Sequence, residues 1–273
     1  MPISQGITHA CFGLSYLVAL GLELLRLRYP KAGLRTTGLV FGFAGLFAQT
    51  VYLAVHHPTP AAPYGSLLLL AWVLAVFYFY GALHHTKQAW GIFVLPVVIG
   101  LITLSYFLLN ATPGSDIPIP DWLHGEKLWG AIHGYLLLLA AVGVSIGFLA
   151  SVMYLVQARR LRTKSLSRGG LSLLNLERLE SMNRRAVNIA VPLLTAGLIL
   201  GGLLLRKEAN ATENWLSIKV LGTTGLWIVC VLLLYLRYAV HVPGRRLAIL
   251  TIIAFALLVT VLAATHPYAG SSS

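Results

Sequence analysis

Residues 129–162 read WGAIHGYLLLLAAVGVSIGFLASVMYLVQARRLR, and this stretch decides the fold. Trp129 and Tyr135 are typical of the boundary between lipid headgroups and hydrocarbon, where amphipathic rings accumulate. The apolar run behind them continues to Val156 and exceeds the roughly 20 residues that cross a hydrocarbon core. Arginines and lysines follow at once, and a basic block of this kind stays on the cytoplasmic side. The stretch therefore predicts both a transmembrane helix and its direction.

The composition extends this prediction to the whole chain. Of the 273 residues, 58% are hydrophobic and only 10% are charged, and the mean hydropathy is +0.80. A soluble domain of this length cannot bury so much apolar surface, so we expect a polytopic helical membrane protein. The net charge of +12 comes from basic residues in short loops. This pattern indicates membrane topology and contact with anionic lipid, not nucleic-acid binding.

Eight apolar runs predict an all-α bundle of eight transmembrane helices. The predicted spans are Ile7–Leu25, Gly38–Val55, Ser66–Leu83, Trp90–Leu109, Trp129–Val156, Asn188–Leu205, Val220–Leu236 and Leu247–Ala264. Of the 20 lysines and arginines, 16 fall on the side that follows the odd-numbered spans and four on the other. The positive-inside rule then places both termini outside, in a bacterial inner membrane. The N-terminus lacks a basic n-region, so we expect no cleaved signal peptide.

Three local features carry structural predictions. In the long inner loop, Ser172–Arg185 has leucines at helical spacing and predicts a short amphipathic helix on the membrane surface. Two pairs of glycines four residues apart, Gly130 with Gly134 and Gly143 with Gly147, predict close approach of a neighbouring helix. Near the inner end of span 1, we expect Glu23 to pair with Arg26, one turn further along.

Histidines provide the chemistry that the sequence offers. Nine are present and most lie at span ends; those on the predicted outer side are His9, His56, His57, His124, His133 and His266. Imidazole is a good axial ligand for haem iron, so several histidines on one side favour a haem site. No arrangement typical of catalysis is visible, and we predict no catalytic residue.

Three segments resemble the cytochrome c assembly protein family, in particular its HemX-like branch. They are the block from Leu128 through His133 to Lys164, the block LNLERLESMNRRAVNIAVPLLTAGLILG at 174–201, and ATHPYAG at 264–270. The resemblance covers roughly residues 65–270. It implies a haem-handling domain over residues 65–273, preceded by a two-helix extension over residues 1–64.

The resemblance also implies a ligand and a site. Haem b would bind at the outer face, with His133 and His266 as the axial, metal-binding pair and with Trp215 and Trp227 lining the site. Spans 5 and 8 run in opposite directions, which puts both histidines at one membrane level. If His266 is not the second ligand, His56 or His57 at the end of span 2 is the alternative. Membrane lipid, other cytochrome c assembly or haem-synthesis proteins and apocytochrome c are the implied partners.

The sequence departs from the family in one place. Ser217 and Ile218 stand where the family has Asp and Pro, although Lys219 keeps its spacing to Trp227. Because of this departure we expect a smaller haem-presenting surface than in the family. We do not expect the chain alone to form thioether bonds. It could act as an accessory subunit of a haem lyase. Two other functions stay open: a regulatory or scaffold subunit that does not bind haem, and a small-solute transporter.

Overall fold

A computed structural model describes residues 9–29, 32–58, 63–84, 90–111, 125–162, 175–205 and 217–264. These residues form eight α-helices and no strand: α1 His9–Arg28, α2 Ala32–His56, α3 Pro63–His84, α4 Trp90–Ala111, α5 Gly125–Arg162, α6 Leu176–Leu205, α7 Ile218–Tyr238 and α8 Gly244–Ala263. All eight are long and apolar enough to cross a membrane, which confirms the predicted eight-span, all-α fold.

The helices pack as two rings of four, each in chain order. In the first ring, α1 contacts α2, α2 contacts α3, α3 contacts α4, and α4 closes the ring on α1. In the second ring, α5, α6, α7 and α8 contact one another in the same order, and α8 closes the ring on α5. The two rings meet where α3 contacts α5 and α8 and where α4 contacts α5.

A buried amide joins three helices in the first ring. The side chain of Gln49 on α2 is fully buried. Its Oε1 accepts a hydrogen bond of 2.9 Å from the Tyr16 hydroxyl on α1, and its Nε2 donates one of 3.1 Å to the carbonyl of Leu68 on α3. In hydrocarbon each unsatisfied polar group costs several kcal/mol, so these partners fix how the three helices pack.

A second buried amide joins all four helices of the second ring. Nδ2 of Asn183 on α6 donates to the Gly147 carbonyl and the Ser151 hydroxyl on α5, at 3.0 and 2.8 Å, and to the Thr251 hydroxyl on α8 at 3.2 Å. Its Oδ1 accepts a hydrogen bond of 2.8 Å from Nη2 of Arg237 on α7. Asn183 is therefore the polar centre of this ring.

One predicted element is wrong. The separate surface helix over Ser172–Arg185 does not exist, because α6 begins at Leu176 and continues without a break to Leu205. Its buried side chains include Leu179, Asn183, Ala186 and Ala190, which recur every three to four residues. The amphipathic pattern at 176–185 belongs to the first turns of a long helix that packs on its neighbours, and residues 172–174 lie outside the described residues.

The structure bears on two further predictions: close helix approach at the glycine pairs, and the pairing of Glu23 with Arg26. A Cβ atom added at Gly143 would lie 3.0 Å from Ala190 Cβ, so α5 and α6 do approach closely there. Among the residues that the structure describes, no neighbouring atom lies within 4 Å of such a position at Gly130, so they show no close approach at that glycine. The Glu23–Arg26 ion pair is present at 3.5 Å, and Glu23 is buried.

Candidate functional site

His133 lies on α5, in the half of the helix that precedes its apolar centre. Its position follows from the sequence of α5, which ends in the basic turn containing Arg159, Arg160 and Arg162. Close to His133, Trp129 and Tyr135 are about half exposed, at 50% and 45%. Aromatic rings at one end and arginines at the other set the height of this helix in the bilayer. His133 is therefore placed near the aromatic end.

The His133 ring is oriented by the backbone of α6. Its Nδ1 lies 2.8 Å from the carbonyl oxygen of Gly197. A carbonyl oxygen can only accept a hydrogen bond, so Nδ1 carries the proton in the neutral ring. Nε2 is then left with its lone pair. A metal-binding histidine commonly donates its other N–H to a carbonyl or carboxylate in this way.

This arrangement fits haem better than a bare metal ion. Among the described residues, no group of three or more His, Cys, Asp or Glu side chains is placed to hold a metal ion. A bare ion needs three or four ligands from the protein, whereas the porphyrin supplies four nitrogens and leaves only the axial positions. One imidazole with an unprotonated Nε2, such as that of His133, could provide one of these ligands.

Trp227 lies on the other side of α6 from His133. Its Nε1 donates a hydrogen bond of 2.8 Å to the Thr195 hydroxyl, which in turn donates to the Val191 carbonyl. Thr195 and Gly197 are two residues apart and so point about 200° apart around the helix. The structure does not bring His133 and Trp227 together, and a haem contact by Trp227 stays a prediction.

His56 and His57 lie at the end of α2, in the first ring. The His56 ring stacks on Tyr52 at 4.1 Å, and its Nδ1 lies 3.1 Å from the Tyr52 carbonyl oxygen. His57 follows the helix with a positive φ of 43°. Both side chains are exposed. His133 is in the second ring, so these alternatives belong to a different part of the bundle. His266 and Trp215 lie outside the described residues.

Two features of the structure were not predicted from the sequence: the glycine pair Gly197 and Gly201 on α6, and the burial of His9. Gly197 and Gly201 form a pair four residues apart on α6, which is the same signal that singled out Gly143 and Gly147. His9 is 7% exposed and packs against the rings of Tyr52, Phe12 and Tyr106. Nothing in the local sequence shows that the first residue of α1 is buried, because its cover comes from α2 and α4.

Comparisons with known proteins complete this description. Residues 61–263 match the family described as Cytochrome C assembly protein. This match begins just before α3 and ends with α8, so it includes His133, Gly197, Gly201 and Trp227. Searches of curated proteins and of solved structures find no match. Since the matched segment covers well over half of its length, the chain belongs to the cytochrome c assembly protein family.

Proposed function

We propose that this protein is a HemX-like, haem-handling protein of a bacterial inner membrane. It binds or passes haem b at the outer face during cytochrome c maturation or haem synthesis. The observation that carries the proposal is the His133 ring, whose Nδ1 is bonded to the Gly197 carbonyl so that Nε2 keeps its lone pair. Family membership supports a role in cytochrome c maturation.

The second axial ligand in this proposal is His266. Gly147 on α5 packs on Thr251, and Tyr154, also on α5, packs on Gly244, so α5 and α8 run in opposite directions. Each residue forward along α8 is therefore level with one residue back along α5. The last turn of α8, residues 260–263, is then level with residues 135–138 of α5, the turn that follows His133. A ligand supplied just after Ala263, where α8 ends, would reach the level of His133.

The protein's own residues would orient haem and limit its exposure. When bound, the haem supplies an iron centre and a vinyl-bearing porphyrin that an acceptor cytochrome requires. His133 would hold the iron, and the aromatic end of α5 would place the site at the membrane boundary. The partners would be other cytochrome c assembly or haem-synthesis proteins, with apocytochrome c as a possible acceptor of the haem. An accessory role beside a haem lyase fits the departure from the family at Ser217 and Ile218.

The absorption spectrum of the detergent-purified protein tests the proposal. We expect a Soret band of six-coordinate haem with bis-histidine character. His133→Ala should give a five-coordinate spectrum that added imidazole restores, because imidazole can occupy the vacated axial position. His84→Ala is the control, since the Nδ1 of His84 also lies within hydrogen-bond distance of a backbone carbonyl, that of Tyr80, but at the opposite end of the bundle. Absence of a Soret band after haem supplementation would contradict the proposal.

Reporter fusions test the proposed orientation. With both termini outside, fusions after Lys87 and Lys164 should report the cytoplasm, and fusions at Ser115 and Ser272 should report the outside. A cytoplasmic signal at Ser272 would reverse the proposed direction of the spans and place the aromatic end of α5 inside.

A second candidate is a regulatory or scaffold subunit without haem, and the departure from the family at Ser217 and Ile218 favours it. Ser217, which stands where the family has Asp, serves as the N-cap of α7, with its Oγ accepting a 3.4 Å hydrogen bond from the Val220 amide. The residue at this position therefore has a role in starting a helix. The test is purification of the protein from a strain that cannot make haem. A stable complex with assembly proteins in that strain would favour the scaffold function.

A further inference from the structure

We propose that Gly201 and the Gly197 carbonyl together position His133, and that Nε2 of this ring is the atom that binds the ligand. This inference rests on the proposed haem site, and it names the ligating atom and two residues of α6 that determine its orientation. His133 is a residue of α5, so the site is built across the α5–α6 interface and not on one helix.

The first support is the fit of the ring against Gly201. A Cβ atom added at Gly201 would lie 2.7 Å from Cε1 of His133, 3.2 Å from Nδ1 and 3.4 Å from Nε2. One edge of the imidazole, from Nδ1 through Cε1 to Nε2, therefore lies against the bare Cα of the glycine. Any larger residue at position 201 would occupy the space that this ring edge now fills.

The second support is that the His133 ring cannot rotate away from position 201 without losing a hydrogen bond. An imidazole is rigid and planar, and rotating it away from position 201 moves Nδ1 from the Gly197 carbonyl, 2.8 Å away. Loss of that hydrogen bond leaves a polar group unsatisfied inside the bundle. The same rotation frees the proton to occupy either nitrogen. Glycine at 201 thus maintains both the orientation of His133 and the tautomer with a lone pair on Nε2.

The competing explanation is that Gly201 only lets two helices approach. Gly197, one turn earlier on the same face, provides the comparison within the molecule. A Cβ atom at Gly197 would lie 2.6 Å from Cδ2 of Leu137, which is the end of a flexible apolar side chain. Gly222 on α7 is equally tight, at 2.5 Å from Cγ2 of Val261, and it lies between α7 and α8. Gly222→Ala is therefore a control for crowding without the histidine.

The decisive measurement is nitrogen NMR of the haem-free protein with ¹⁵N-labelled histidine, in detergent micelles. The His133 signals are identified by their loss in His133→Ala. We expect the Nδ1–H tautomer with an unprotonated Nε2 in the wild type. Gly201→Ala should lose this single tautomer, whereas Gly222→Ala should retain it. An Nε2–H tautomer in the wild type would overturn the proposal, and so would a Gly201→Ala spectrum identical to the wild type.

Haem titration then separates this inference from the proposed function. If both hold, Gly201→Ala should weaken haem binding by about tenfold or more, as removal of partners that orient a ligand usually does, while Gly222→Ala should not. The expected tautomer in a wild type that binds no haem would overturn the proposed function and the role of Nε2 as ligand. If Gly201→Ala does not yield folded protein, the wild-type tautomer alone still decides whether Gly197 orients the ring.

Discussion

The two rings share one plan and differ in how they accommodate charge. Each consists of four antiparallel helices in chain order around a buried amide, Gln49 in the first ring and Asn183 in the second. In the first ring the buried carboxylate of Glu23 is paired with Arg26 at 3.5 Å. In the second, Arg237 bonds to the neutral amide of Asn183, and within the described residues its buried Nε has no hydrogen-bond partner.

This difference concerns how each ring is held together. In the first ring the amide and the ion pair are separate features, so each can be lost without the other. In the second ring the amide is also the partner of the arginine, and it binds α5, α7 and α8 at once. One side chain, Asn183, therefore carries the polar contacts that join all four helices of the second ring. We expect the second ring, which carries the proposed haem site, to be the more sensitive to substitution.

The largest expected effect is that of removing these amides. Asn183→Leu leaves the Arg237 guanidinium without its amide acceptor, and an unsatisfied charged group of this kind costs about 3 kcal/mol or more. Gln49→Leu removes two hydrogen bonds between neutral groups and should lower the free energy of unfolding by about 2 kcal/mol. The free energy of unfolding, measured by SDS titration in mixed micelles with circular dichroism, compares the two variants.

A double variant sharpens that measurement. Adding Tyr16→Phe to Gln49→Leu removes the stranded hydroxyl, so it should recover part of the lost stability. Equal losses for Asn183→Leu and Gln49→Leu would mean that Arg237 finds another partner, and the proposed contrast between the rings would fail.

A second comparison uses glycines, one in each ring. Gly143→Ala would place its Cβ 3.0 Å from Ala190 Cβ and 3.1 Å from the backbone oxygen of Ala186, so α5 and α6 must separate slightly. Overpacking of this kind costs about 1–3 kcal/mol. Gly100→Ala in α4 meets no atom of the described residues within 4 Å and should leave stability unchanged or raise it by up to about 1 kcal/mol, as alanine favours helix. A destabilised Gly100→Ala protein, measured by the same titration, would show that its open face is covered by something else.

The number of transmembrane spans could be predicted from the sequence, but the packing of the helices could not. Hydropathy and arginine placement predicted eight spans, because bilayer thickness limits helix length directly. The ring order could not be predicted, since it depends on side-chain shapes at pairs such as Gly143 and Ala190. The start of α6 was missed because an amphipathic pattern is the same on a membrane surface and on a packed helix. His133 was selected by resemblance and its role in a haem site stays a prediction, whereas its bond to Gly197 depends on the rotation of α6, which no local pattern specifies.

The smallest expected effect concerns hydrogen bonds on the lipid-facing surface, where the rings should behave alike. In the first ring Trp72 Nε1 donates to the Thr50 hydroxyl at 2.9 Å, and in the second Asn188 Nδ2 donates to the Tyr238 hydroxyl at 2.8 Å. Hydrogen bonds between transmembrane helices average about 0.6 kcal/mol in double-mutant cycles, because the unfolded chain in the membrane also finds partners.

Two double-mutant cycles, measured by SDS titration, test this expectation. One combines Thr50→Val with Trp72→Phe, and the other combines Asn188→Leu with Tyr238→Phe. Each coupling energy should be about 0.6 kcal/mol, with no difference between the rings. A coupling energy above about 2 kcal/mol in the second cycle alone would contradict this. It would mean that the outer surface of the second ring also holds its helices together, and that its sensitivity does not arise from Asn183 and Arg237 alone.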